Sequence, residues 1–231
     1  MNKNSKIILN ILIIILLGLI IFLVIRNYMT EGKLKKEINT IYDLINNEPY
    51  DYEKIYNKIN TIVTKNGYAL VEDAAKEYLF DWFDKKLKLK DIINNEKERN
   101  ILTIENYLED GPKFVETKKF LKEQKQKVLN LTAEMLADLE TKTIMSYIID
   151  KNLEDSYNNL YQNLIFAKEE NLKKNKETIE KTVELYIKNN DNKQKVINFL
   201  ENNNWTVKDN AIIFDEPELS NEYNELIMNL Q

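Results

Sequence analysis

Residues 7–25 read IILNILIIILLGLIIFLVI, nineteen positions without a charge and with Asn10 as the one strongly polar side chain. At 1.5 Å rise per residue such a helix is about 28 Å long, close to the roughly 30 Å hydrocarbon core of a bilayer. A helix that is apolar all round needs either lipid or the interior of a large core, and a chain of 231 residues has little interior to give. We therefore read this segment as a membrane-spanning anchor. Cleavable leaders carry a shorter apolar region, roughly 7–15 residues, followed by small residues at the cut site. Here Arg26-Asn27-Tyr28-Met29 follows, so the anchor is expected to be retained, with Tyr28 at the height of an interfacial aromatic.

The charges around the span give opposing signals on orientation. Lys3 and Lys6 precede it, whereas Arg26, Lys33, Lys35 and Lys36 follow it closely, and that count favours a cytoplasmic C-terminal side. A short basic leader before one long apolar segment commonly keeps its N-terminus inside and exports the C-terminal remainder of the chain. We take the exported arrangement as the expectation, on the cell membrane and single-pass.

Missing residue types exclude chemistry. The chain has no His and no Cys, which removes imidazole bases, thiol nucleophiles, disulfides and the usual zinc and iron–sulfur ligand sets. Arg26 and Arg99 are the only arginines, so bidentate reading of phosphate or guanine has little to draw on. The net charge is −5, and residues 1–26 hold three basic and no acidic side chains, so everything beyond the anchor is more acidic still. The Lys runs at 85–90 and 118–127 sit among carboxylates. They read as solvated helix faces, and no nucleic-acid partner is expected.

Only 4 Gly and 3 Pro occur, too few for the turns of a sandwich or barrel. The expected fold is mostly all-α: an N-terminal transmembrane helix, an elongated helical bundle, and a short C-terminal β-hairpin with a terminal helix. The segments are a tail over 1–6, the anchor over 7–25, a juxtamembrane stalk helix over 26–47, a helical domain over 48–203, and the hairpin plus last helix over 204–231, packed on the bundle.

Leu34, Ile38, Ile41, Leu44 and Ile45 are spaced as one helical stripe that stops near Glu48-Pro49. Ile55, Ile59, Ile62 and Val63 predict a second helix over 51–66, with Gly67 as its left-handed C-terminal cap. Ala74, Ala75, Tyr78, Leu79, Trp82 and Phe83 lie on one side of a third helix that Asn94-Asn95 ends. Ile101, Ile104, Tyr107 and Leu108 continue the pattern to Asp110-Gly111-Pro112, a turn with Pro112 suited to a helix start. From there Phe114, Leu121, Val128, Leu131, Met135 and Leu139, then Ile144, Tyr147 and Ile148, predict an unbroken helix to about Asn152. Further stripes are Leu153–Ile165, Ile179–Ile187 and Val196–Leu200.

Trp205-Thr206-Val207 and Ala211-Ile212-Ile213-Phe214 flank a turn-forming Asp209-Asn210 and predict a hairpin. Pro217 and Ser220 introduce a last helix, with Ser220 as its cap and Tyr223, Leu226, Ile227 and Leu230 as its apolar face. An isolated hairpin is marginal in water, so it either closes the end of the bundle or offers an edge to an extended peptide. Trp205, Val207, Ile212 and Phe214 are the candidate partner-binding residues.

Acid pairs such as Asp81/Asp84, Glu134/Asp138 and Asp215/Glu216/Glu218 have neither a calcium-loop spacing nor the His of a di-iron bundle. The three Gly beyond the anchor, Gly32, Gly67 and Gly111, are isolated and form no phosphate-cradling loop. No catalytic residue, no cofactor and no metal is expected. The chain reads as a membrane-anchored binding or scaffold protein, in contact with the bilayer through residues 7–25 and with a protein or cell-envelope partner. Two other classes fit the same features: a membrane-tethered inhibitor or immunity-type protein, and a cytoplasm-facing accessory subunit of a membrane complex.

Overall fold

The computed structural model describes the backbone of residues 3–166 and 169–230 and the side chains of 12–166 and 170–230. The side chains of the leader lysines Lys3 and Lys6 and of Asn10 lie outside the described residues. The chain is mostly helical, as expected: α1 Lys3–Asn46, α2 Tyr52–Ile59, α3 Gly67–Ile93, α4 Glu96–Asn100, α5 Ile104–Asp110, α6 Val115–Asp138, α7 Thr141–Ile149, α8 Asp155–Phe166, α9 Glu169–Asn202 and α10 Pro217–Met228. A two-stranded antiparallel hairpin, β1 Thr206–Lys208 and β2 Ala211–Ile213, lies between α9 and α10.

Span and stalk form one helix of 44 residues. Its two halves differ in what surrounds them. Large apolar side chains from Leu12 to Met29 are 40–79 % exposed, whereas Leu34, Ile38, Ile41 and Ile45 are 0–2 % exposed. The predicted stalk is therefore a core element, packed on α2 through the apolar stripe that the 3.6-residue period produces.

The chain forms two compact units, each discontinuous in sequence. One comprises Met1–Asp81 and Thr141–Glu169, the other Trp82–Glu140 and Glu170–Gln231. The expected single helical domain over 48–203 has no counterpart to this division, because it falls inside α3, where no Gly- or Pro-rich linker marks it. In the first unit the buried residues come from α1, Ile55 of α2, Val71 to Leu79 of α3, and Ile144, Ile148, Tyr161, Leu164 and Ile165 of α7 and α8. The Tyr161 hydroxyl donates to the carbonyl of Ile144 at 2.9 Å, so its burial leaves no unsatisfied donor. In the second unit Ile101, Tyr107, Phe114, Leu121, Val196, Ile197 and Leu200 form the centre of a core that Phe199 and Phe214 complete.

Several boundaries depart from the sequence reading. The second helix ends at Ile59, and 60–66 is a loop. Gly67 opens α3 with ordinary backbone angles, and the left-handed residue is Asn66 (φ 57°). Gly67 is required for space instead: a Cβ there would lie 2.3 Å from Cζ of Tyr157. The helix expected to run from Pro112 to Asn152 is broken. Leu139 and Glu140 bond back to Leu136 and Ala137 in a tightened turn, and Asp138, buried at that end, pairs with Lys85 at 2.5 Å. Pro112 lies in the turn before α6, whose N-cap is Phe114 in the left-handed conformation (φ 50°), fully buried. Leu108, expected in the core stripe, is 63 % exposed. The last helix begins at Pro217, with Glu216 at the N-cap in place of Ser220.

The hairpin follows its sequence closely. Asp209 and Asn210 both take positive φ (51° and 58°), as a two-residue loop matched to strand twist requires. The register pairs Thr206 with Ile213, Val207 with Ile212 and Lys208 with Ala211.

Two glycine substitutions separate space from conformation. Gly67→Ala forces its Cβ onto the Tyr157 ring and is expected to cost about 1–3 kcal/mol. Gly32→Ala, with nothing within 4 Å of its Cβ, is expected to be neutral or to stabilise by up to about 1 kcal/mol, because glycine is costly inside a helix. Urea unfolding of the full chain in detergent measures both.

Candidate functional site

The best-organised polar region of the first unit begins where α1 leaves its apolar half. Glu72, one turn and a half into α3, is 0 % exposed, and Lys76 is 2 % exposed. They pair at 2.6 Å, as residues four apart on one helix face can. A buried charge pair is tolerable only when the remaining hydrogen-bonding positions are filled, and here they are. Glu72 accepts from the amides of Val63 and Thr64 at 2.9 and 2.8 Å and from the Thr64 hydroxyl at 2.7 Å. Lys76 also donates to the carbonyl of Thr61 at 2.6 Å and reaches Glu37 of α1 at 3.4 Å. Lys58 of α2 closes the network on Glu37 at 2.7 Å.

This network supplies partners for backbone groups of the loop that no helix satisfies. Residues 61–64 lie outside any helix, and their backbone groups are held by two α3 side chains. Burial alone would push the Glu72 carboxyl up, but the donors from Lys76, Val63 and Thr64 outweigh it and hold it below the ordinary carboxylate value.

The positioned loop forms one wall of a cavity of about 500 Å³. The opposite wall is the first part of α1 beyond the span. Three cations line it: Arg26 and Lys33 from α1 and Lys65 from the loop. Lys33 donates to the carbonyl of Val63 at 2.7 Å, tying α1 to the loop. Tyr68 and Tyr157, in edge-to-face contact at 5.4 Å, close the inner end. Burial, then the neighbouring Tyr157 and the Glu31 carboxylate, push the Tyr68 phenol up; Glu31 is itself paired with Lys35 at 2.5 Å. Among the described residues that line it there is no carboxylate. Sequence reasoning places Arg26 and Lys33 beside the membrane but does not find this cavity, because its third cation and its tyrosines arrive from residues 65–157 by tertiary folding.

The second unit has a larger open cleft of about 890 Å³ with the opposite character, lined by Glu105, Glu109, Asp110 and Glu116 among others. Asp110 caps α6: its carboxylate accepts from the amides of Thr117 and Glu116 at 2.7 and 3.2 Å. Burial would raise its carboxyl, but those two residues and the charge of Lys97 hold it low. Three of the acids picked out in the sequence are engaged elsewhere. Asp81 accepts from the Tyr147 hydroxyl at 2.8 Å, Asp84 pairs with Lys88 and Asp138 with Lys85, each at 2.5 Å. Among the described residues no group of three or more acids is placed to hold a metal ion.

Of the hairpin residues, Phe214 is buried at 6 % exposure, and Trp205 and Ile212 pack partly buried against the same core. The Trp205 ring stacks on Phe114 at 6.3 Å, and its indole N–H donates to the carbonyl of Leu200 at 2.9 Å. Phe214 meets Phe199 and Tyr223 at 5.5 and 5.6 Å. Val207 is half-buried opposite Ile212. These contacts attach the hairpin to α6, α9 and α10, and on the face away from the core Ile213 is 43 % exposed.

Comparison with protein-family models, with curated proteins and with solved structures finds no match to this chain. Among the described residues one helix, at the N-terminus, is long and apolar enough to span a membrane.

The Glu72 network makes a pH prediction. A carboxyl held below its ordinary value of 4.5 contributes stability that is fully present above that value and is lost as pH falls through the lowered one. Glu72→Gln places an amide against amide donors and leaves the buried Lys76 with only the more distant Glu37, at 3.4 Å, as counter-charge. The expected cost is about 3–5 kcal/mol at neutral pH, with a flatter loss of stability on acidification below 4.5 than the native chain shows. Urea titrations across that range read both effects.

Proposed function

We propose that this chain is a single-pass membrane protein whose helical body works by binding, tethering or scaffolding a protein or envelope partner on the extracytoplasmic face. The observation that carries the reading is the split character of α1. Its apolar side chains from Leu12 to Ile25 are 40–68 % exposed, and after a few residues the same helix supplies the fully buried Leu34, Ile41 and Ile45. None of the described residues of the first unit takes up the apolar half, and bilayer hydrocarbon is the environment that would. With no break in the helix, the body would be held at the surface of the bilayer.

Binding is preferred to turnover because of composition. Without His or Cys, acid/base work would fall to carboxylates raised towards neutrality, whereas Glu72 and Asp110 are both shifted the other way and occupied with backbone amides. The hairpin is the element we assign to the partner: a strand edge beside the exposed Ile213, presented by a base that Trp205 and Phe214 fix in place. Export is the expected orientation, from the short basic leader before the span.

Alkaline carbonate extraction followed by protease shaving of intact cells tests the reading. The chain is expected to stay in the membrane pellet and its body to be cut from outside. Recovery in the carbonate wash would remove the anchor from the account. A body protected in intact cells but cut after lysis would transfer the protein to the cytoplasm-facing accessory class.

A further inference from the structure

We infer that the cavity formed by α1, the 61–66 loop and Tyr157 is a binding site for the phosphate of an anionic phospholipid headgroup. The inference rests on the membrane-anchored reading and adds a ligand to it.

Position is the first ground. Arg26 follows the last apolar residue of the span directly, and Lys33 lies seven residues further on, so the α1 wall covers about 12 Å beyond the hydrocarbon. The headgroup layer occupies roughly 5–8 Å on each side of a bilayer core. Side chains on a helix lean towards its N-terminus, which for α1 is towards the membrane, and the long Lys33 chain can extend further in that direction. The cavity therefore opens at the level where lipid phosphates lie.

Chemistry is the second ground. Arg26, Lys33 and Lys65 line the cavity, and among the described residues no carboxylate does, although the chain as a whole carries −5. Among the described residues neither Arg26 nor Lys65 has an acid partner, in contrast to Lys35, Lys58 and Lys76, which are all paired. Arg26 offers a planar fork suited to two phosphate oxygens. Lys33 keeps two N–H donors after its bond to Val63.

Construction is the third ground. The loop that carries Lys65 is held by the buried Glu72 and Lys76, and Lys33 is tied to the carbonyl of Val63, so the backbone that presents these cations is fixed in advance and less ordering is needed on binding. A volume of about 500 Å³ falls in the ordinary range of small-molecule sites. The tyrosine pair at the inner end offers an apolar surface to glycerol carbons.

The test uses the full chain in nanodiscs of equimolar phosphatidylglycerol and phosphatidylcholine, released into the mass spectrometer with its retained lipid. Phosphatidylglycerol is expected to be enriched about tenfold in the retained lipid, equivalent to 1.4 kcal/mol of differential affinity. Arg26→Gln/Lys65→Gln removes two cations that have no acid partner among the described residues and is expected to abolish the enrichment with unchanged circular dichroism. Lys36→Gln/Lys54→Gln, an equal charge change at exposed positions outside the cavity, is expected to keep it. Equal retention of both lipids by the native chain overturns the inference, as does equal loss in the two double variants, which would mean diffuse attraction. Displacement of the lipid by millimolar inorganic phosphate would assign the site to the free ion and overturn the lipid source. A chain that leaves the discs refutes the anchor; one that stays without preference refutes the cavity alone.

Discussion

The constraint on which the rest depends is a helix that its own unit buries along only half its length. From Leu12 to Ile25 the apolar side chains of α1 lie open, and from Leu34 to Ile45 the same backbone is the spine of the first unit. Exposing that much hydrocarbon to water costs on the order of 1.5–3 kcal/mol for each large side chain. A marginal fold of about 5–15 kcal/mol would not offset such a cost, so the environment of the apolar half must come from beyond the described residues of its own unit. On the proposed reading the bilayer supplies it, and the unbroken helix transmits the membrane's position to the core without a hinge.

A second constraint arises from the first. Where α1 emerges it needs lateral support, and the chain provides it with ions. Glu37, Lys58, Glu72 and Lys76 join α1, α2 and α3 and hold the intervening loop. Buried ion pairs are weak sources of net stability, but they impose register: Glu72 satisfies the amides of Val63 and Thr64 at one geometry only. Specifying that geometry sets Lys65 in the lining of the cavity that Arg26 also lines. The second unit uses aromatic packing where the first uses ions. Phe114, Trp205, Phe199, Phe214 and Tyr223 make pairwise ring contacts at 5.5–6.4 Å, a dense apolar surface with a polar tip on Trp205 directed to a carbonyl.

Much of this is legible in the residues. The apolar run, the stripe Leu34 to Ile45, the knot from Ala74 to Phe83 and the Asp209-Asn210 hairpin each arise from one local period or one turn preference. The failures share a cause. The 60–66 loop carries Ile62 and Val63 at helical spacing, yet its amides are taken by Glu72, a partner whose burial no pattern announces. The break after Asp138 has no Gly or Pro; a pair with Lys85, distant in sequence, occupies that end of α6. Gly67 reads as a residue chosen for backbone freedom, but its small size is what Tyr157 requires. The division of α3 between two units and the basic cavity beside the span depend on residues brought together from distant parts of the sequence, and a single sequence does not display that juxtaposition. The hairpin stands out in the sequence as an unusual element, while the contacts of Trp205 and Phe214 with the core depend on where α9 and α10 lie.

If α1 passes without interruption from lipid into a packed core, its surroundings change along one continuous helix, and the absence of cysteine lets single labels follow that change. Nitroxides introduced one at a time from Leu12 to Ile45 in the liposome-embedded chain report accessibility to oxygen and to a water-soluble nickel complex. Oxygen-dominated accessibility is expected on every side from Leu12 to Ile25, then an oscillation of about 3.6 residues with minima at Leu34, Ile38, Ile41 and Ile45. Nickel accessibility throughout the first segment, or the same oscillation already present across it, would show that α1 does not enter lipid.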